Sequence, residues 1–191
     1  MHQFDKDIIL ERIVPSSYTG MISDNWSVNG VPDGGYLTAI LANAMMQNTH
    51  KAATPIITAN FLKRCEPGAI EVQIEKMAAS RQFDRFQASL HQGREEKIRA
   101  FGTFAIENHA CEVESCDVQP PAIEKPETCV QVPEMPRYTI FRNMEVRLEP
   151  TSAGWMSGQL ADRSECMGWI KFKNDRSFDA LSILLIADSF P

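Results

Sequence analysis

Two stretches of this 191-residue chain carry residue types at spacings that could do chemistry. The first is NGVPDGGYLTAILANAM, residues 29–45, in which Asp33 stands directly before the paired glycines Gly34 and Gly35, and Tyr36 opens an apolar run. A helix start leaves unpaired N–H groups at a positive dipole end. Glycines there let a ligand approach the backbone without meeting a Cβ. A carbonyl oxygen gaining negative charge under attack would find donors in the N–H groups of Gly35 and Tyr36. The same residues allow a plainer reading, in which Asp33 caps the helix and the glycines only make the turn.

The second stretch is LSILLIADSFP, residues 181–191. Leu181, Leu184, Leu185 and Asp188 fall at i, i+3, i+4 and i+7, so a carboxylate lies on an apolar stripe. Burial there would raise its pKa, the condition under which a carboxylate becomes a useful general base. The alternative is a frayed helix end, with Asp188 facing water just before Pro191.

Other candidates have weaker signals. Cys111, Cys116 and Cys129 with His109 fit no zinc-finger spacing and lie in a proline-rich stretch, so no metal is expected. Lys63, Arg64 and Arg81 could meet phosphates through charge-assisted bonds or could be solvated surface charge. Trp26 and Trp169 read as core or rim packing, or as ligand platforms.

The elements that must position these residues follow from periodicity. Strands are expected over residues 8–14 and 18–22, then a helix over 33–49, in which Leu37, Ile40, Leu41, Ala44 and Met45 share one face. Ala39, Ala42 and Met46 make the other face apolar too, so the helix should be enclosed on most sides. Four strands follow, with Ile70, Val72 and Ile74, then Phe86, Ala88 and Leu90, then Ile98, Ala100, Phe104 and Ile106 on their apolar faces. Strand–strand–helix and then four strands, without β/α alternation, argues for α+β: one antiparallel sheet wrapped on one helix. Residues 108–137, with Pro120, Pro121, Pro126, Pro133 and Pro136, read as an extended linker. After it, YTIFRNMEVRLE and CMGWIKFK read as strands, and SFDALSILLIADSFP reads as a helix with Ser177 as N-cap and Asp179 in its first turn.

Bulk composition narrows the function classes. A net charge of -6 argues against a nucleic-acid binder. The charged N-terminal MHQFDKDIILERI lacks an apolar h-region, no run reaches the length of a membrane span, and five cysteines without a pairing pattern suit reduced thiols. A cytoplasmic protein is expected.

Four pieces, NW…NGVPDGGYLTAIL, FLKRCEPG, SRQFDRFQASLHQG and GWIKF…LSILLIADSFP, occur in the order of one family. In them the chain resembles the acyl-CoA thioesterase II-like branch of the hotdog superfamily. The resemblance implies a tandem (double) hotdog: residues 1–107 as first repeat, 108–137 as linker, and 138–191 as the opening part of an incomplete second repeat. It implies hydrolysis of acyl-CoA thioesters without metal or cofactor. A homo-oligomer is expected as well, because the apolar residues of the last helix would otherwise face water. Gly35 would serve the oxyanion, and Asp188 would orient the hydrolytic water with a Gln and a Thr from later strands. Those strands have no counterpart before residue 191, so an N-terminal portion of a longer protein is expected. Asp33, Gly34, Tyr36, Trp26 and Arg64 are expected around the substrate. Family members often carry His where Asp33 stands, so capping is the role expected of its side chain. A hotdog hydratase or dehydratase, and a non-catalytic acyl-CoA-binding module, are the competing readings.

Overall fold

The computed structural model describes residues 1–51, 53–106, 115, 117–159 and 162–190, with the side chains of Thr54 and Pro55 left aside. Cys111, Cys116 and His109 lie outside the described residues. A short helix, α1 (Gln3–Asp7), precedes the hairpin β1 (Leu10–Val14) and β2 (Ser17–Ile22). A 3-10 turn at Asp24–Trp26 leads into a tiny hairpin, β3 (Ser27–Val28) and β4 (Val31–Pro32). The long helix α2 (Gly34–Met46) follows, and then four strands: β5 (Ala53–Phe61), β6 (Gly68–Ala79), β7 (Phe83–Gln92) and β8 (Glu95–Ala105).

These strands form one antiparallel sheet in the order β1-β2-β6-β7-β8-β5. Strict alternation decides which face turns inward. Ile70, Val72 and Ile74 of β6, Phe86, Ala88 and Leu90 of β7, and Ile98, Ala100 and Phe104 of β8 are all buried beneath α2. Ile106 departs from this set, being half-exposed just beyond the end of β8. At Gly102 a Cβ would lie 2.5 Å from the Met45 sulfur, so the missing side chain lets helix and sheet approach. Both faces of α2 are enclosed, with Leu37, Ala39, Ile40, Leu41, Ala42, Ala44 and Met45 buried. One side meets the sheet, and the other meets a helix from the end of the chain.

The second region begins inside the expected linker. β9 (Val130–Gln131) pairs with β10 (Met144–Leu148), which pairs in turn with β11 (Gly168–Phe172), and Cys129 and Val132 are buried. Residues 138–149 do not form one strand. Ile140–Asn143 is a short helix, α3, and the strand starts only at Met144. Anchoring to the 3-10 turn overrides the alternating pattern there. Thr139 Oγ1 donates to the carbonyl of Asp24 and accepts from the Ser27 N–H at 3.0 Å, and Asn143 donates to the Asn25 carbonyl at 2.9 Å. Ile140 and Phe141 are both buried, which successive strand positions could not achieve on one face.

The last helix, α4 (Ala180–Asp188), starts later than expected, and Asp179 rather than Ser177 is its N-cap. Asp179 accepts from the Ser182 N–H at 2.8 Å, and the Ser182 hydroxyl accepts from the Asp179 N–H at 2.7 Å, a capping box that Ser177 has no residue to complete. None of the described helices is long and apolar enough to cross a membrane.

Candidate active site at the start of the first long helix

The Asn-Gly dipeptide before α2 is a hairpin signal. Asn29 and Gly30 take φ values of 54° and 74°, and Ser27 pairs with Pro32 across the turn. The hairpin returns the chain so that the Asp33 N–H donates to the Trp26 carbonyl at 2.8 Å. Asp33 then caps α2 as expected, its Oδ1 accepting the Tyr36 N–H at 2.9 Å.

The paired glycines are explained by what crosses them. A Cβ on Gly35 would lie 2.3 Å from the Leu184 carbonyl oxygen and 2.9 Å from Leu185 Cα, both backbone atoms of α4. The end of α4 thus rests directly on the start of α2. A Cβ on Gly34 would lie 2.7 Å from Asp188 Oδ2 and 3.1 Å from the Phe61 ring. The helix opens with poor helix formers because a second helix and a carboxylate occupy the space that side chains would take. This corrects one expectation for Gly35: its freedom from a side chain is required by packing, so a larger residue there cannot be accommodated without moving α4.

Asp188 is the last residue of α4 and is exposed, yet its Oδ2 accepts the Gly35 N–H at 3.0 Å. Of its expected stripe, Leu185 is fully buried and Leu181 and Leu184 are partly so. The carboxylate therefore lies neither inside the core nor free in water; it sits on the positive end of a neighbouring helix. Both N–H groups expected to serve a ligand oxyanion are taken by carboxylates, Gly35 by Asp188 and Tyr36 by Asp33. Among the described residues the Gly34 N–H has no acceptor, and Asp188 Oδ1 has no donor.

The electrostatics follow from burial. Asp33 is 7% exposed, and burial pushes its pKa up to about 7, reinforced by the negative charge of Asp188 and opposed by the backbone N–H groups of Tyr36 and, more weakly, Gly35.

Other expected substrate contacts are not brought here. Trp26 is fully buried among Phe4, Tyr36 and Phe172, and its Nε1 donates to Asp7 at 2.9 Å, so it is core rather than a platform. The Tyr36 ring is buried too, its hydroxyl accepting from the Ser23 N–H at 3.1 Å and donating to the Asp7 carbonyl at 2.9 Å. Only the Tyr36 backbone belongs to the helix start. Arg64 and Arg81 are exposed, and Lys63 is paired with Glu95. Trp169 is 42% exposed and donates to the Glu124 carbonyl at 2.8 Å, in a groove on the outer side of the second sheet. The sequence reading missed Phe61, which closes β5, is 53% exposed and touches the Gly34 position. The one signal in the sequence was an aromatic near the end of the β-rich segment TPIITANFL.

Residues 22–105 match the family model described as the acyl-CoA thioesterase N-terminal domain. A structure named as a thioesterase II from Thermobifida fusca superposes with a TM-score of 0.86 at 20% identity, covering 100% of this chain and 73% of that one. A conserved protein with hot dog fold from Alicyclobacillus acidocaldarius gives 0.87 at 18% identity, covering 100% and 70%. The acyl-CoA thioesterase II TesB2 from Mycobacterium marinum gives 0.71 at 13% identity, covering 97% and 68%. At these identities the superpositions establish the α+β hotdog fold. No curated protein matches the sequence.

Proposed function

With the fold that of the hotdog class, and residues 22–105 matching the model of the acyl-CoA thioesterase N-terminal domain, we propose that this protein hydrolyses acyl-CoA thioesters. The observation that carries the reading is the seat of Asp188: an exposed carboxylate whose Oδ2 is fixed by the Gly35 N–H, 153 residues away in sequence. One oxygen is held and the other is left to orient a water, which is what a water-activating carboxylate needs. Beside it, the Gly34 N–H is a donor for the oxyanion that forms when that water attacks the thioester carbonyl. Gly34 thus takes the role first expected of Gly35 and Tyr36. Phe61 supplies an apolar surface for the acyl group at the same spot.

In this reading the chain is a tandem of two hotdog units, with α2 and α4 as their central helices packed start against end. The water adds to the carbonyl carbon as Asp188 takes its proton, and the tetrahedral intermediate collapses to the carboxylic acid with loss of the CoA thiolate, to which Asp188 returns the proton. Arg64, on the loop after Phe61, is proposed to meet the CoA phosphates. The competing view, a non-catalytic binding module, would gain from an Asp188 without polar partners, whereas its Oδ2 accepts the Gly35 N–H. Asp188→Asn keeps the size and accepts the same N–H, so substrate binding should persist while kcat falls by about 10²–10⁴-fold in a thiol-release assay on the full-length protein. A kcat within about twofold of wild type would make Asp188 structural.

A further inference from the structure

We propose that Asp33 is a positioning residue for Asp188, acting through their shared hold on the start of α2; the inference rests on the reading of Asp188 as the water-orienting carboxylate. Two carboxylates from different helices take consecutive N–H groups, Asp188 that of Gly35 and Asp33 that of Tyr36. No ion pair found among the described residues includes either one. The charge that faces Asp33 is that of Asp188, from α4. On its own helix Tyr36 offers an N–H and turns its hydroxyl away to Ser23 and Asp7, and from the 3-10 turn Trp26 offers a carbonyl.

An ordinary N-cap carboxylate is solvated and anionic, and it answers only to its own helix. Asp33 is more than nine-tenths buried, so it holds a proton that a surface carboxylate would have lost. With Asp33 neutral, the positive end of α2 serves one anion, Asp188. With Asp33 ionised, a second negative charge sits one N–H away. It then opposes both the anionic Asp188 and the negative charge that grows on the substrate oxygen at Gly34. The protonation of Asp33 therefore sets how well the site tolerates its own transition state.

The test follows the aspartate carboxyl carbons by ¹³C NMR from pH 4 to 9 in the full-length wild type, Asp33→Asn and Asp188→Asn. Asparagine is as good a cap as aspartate, so the start of α2 is kept. Should Asp33→Asn misfold, Asp33→Ser caps equally and gives the same comparison. The resonance lost in Asp33→Asn should titrate near 7 in the wild type. The Asp188 carbon should show a step at the same pH that Asp33→Asn abolishes, and Asp188→Asn should lower the Asp33 midpoint. In the thiol-release assay, wild-type kcat should fall about three- to tenfold as pH rises through that step, the scale of one pKa unit of interaction or less, and Asp33→Asn should flatten the profile. An Asp33 that titrates with surface carboxylates near pH 4, or a kcat step that survives in Asp33→Asn, overturns the proposal. Coupled NMR steps alongside wild-type turnover in Asp188→Asn would overturn the reading of Asp188, and the positioning role with it, while leaving the electrostatic coupling in place.

Discussion

The two long helices begin in the same way and end up in opposite electrostatic states. Each is capped by an aspartate that accepts the N–H three residues on: Asp33 that of Tyr36, and Asp179 that of Ser182. After Asp33 come two glycines, and after Asp179 come Ala180 and Leu181. Asp33 is buried with a like charge for a neighbour, and its pKa is raised to about 7. Burial alone would raise Asp179 as well, but the Ser182 N–H and the Arg176 guanidinium, at 2.7 Å, overcome it and hold the carboxyl below its usual range. A cap residue thus fixes where a helix starts, while the surroundings fix its charge. Where Arg176 clamps Asp179 to Asp5 and lies over Phe4 and Phe172, the start of α4 is built as a structural joint. The start of α2 has a second helix end and, among the described residues, a carboxylate without an ion-pair partner instead, and it is there that chemistry is proposed.

The most severe way to break this contrast is Gly35→Val. Its first side-chain carbon would fall 2.3 Å from a carbonyl oxygen and 2.9 Å from a Cα of α4, and neither atom can yield without moving the helix. Overpacking in cores costs about 1–3 kcal/mol and at times more, and backbone atoms on both sides put this case at the upper end. Chemical denaturation should show a lowered midpoint, and Asp188 should lose its protection by the Gly35 N–H. An unchanged midpoint would mean that α4 does not rest on α2. At the equivalent place in α4, Leu181→Ala meets no such wall and should cost less.

Much of this was legible in advance. The 3.6 and 2.0 periods located α2 and the four following strands, because those segments have one well-defined buried face. The chemistry of Asp33 as a cap was legible because it depends only on residues 33–36. Residues 138–149 were misread because their neighbours in sequence do not decide their structure: Thr139 and Asn143 answer to Asp24, Ser27 and Asn25, more than 110 positions earlier. The occupied N–H groups were hidden for the same reason. Period alone put Asp188 on a helical stripe, and nothing local says that the stripe ends against Gly35. Trp26 looked available as a platform because its burial is set by Phe4 and Phe172, from opposite ends of the chain.

A second experiment sharpens the contrast by removing charge from the buried cap. Between the ordinary carboxylate value and about 7, folded Asp33 keeps a proton that the unfolded chain has released. Stability should therefore be fullest at acid pH and fall as pH rises, until the folded carboxyl ionises too. Asp33→Asn has no such proton to lose. Its stability relative to wild type should rise with pH by about 2–3 kcal/mol between pH 5 and 8, and then level off. Paired denaturation curves at several pH values would read this directly. A constant difference across the range would show that Asp33 ionises like a surface group.

The smallest effect is expected at the other cap, and there the sign reverses. Asp179 is held below its usual range, so its contribution is present above the unfolded carboxylate value near pH 4 and is lost as pH falls through the depressed one. Asp179→Ala removes the bond to Ser182 and one partner of Arg176, leaving Asp5 as the other. A lost cap costs about 0.5–2 kcal/mol. The ion pair adds little to that, because the Asp179 side chain is 50% exposed and salt screens it. At neutral pH the variant should melt a few degrees lower, and added salt should narrow the gap only slightly. Lowering the pH towards 3 should shrink it further, since the wild-type carboxylate itself becomes protonated there. If the gap instead widened on acidification, Asp179 would be behaving like Asp33, and the difference between the two helix starts would not lie in Arg176.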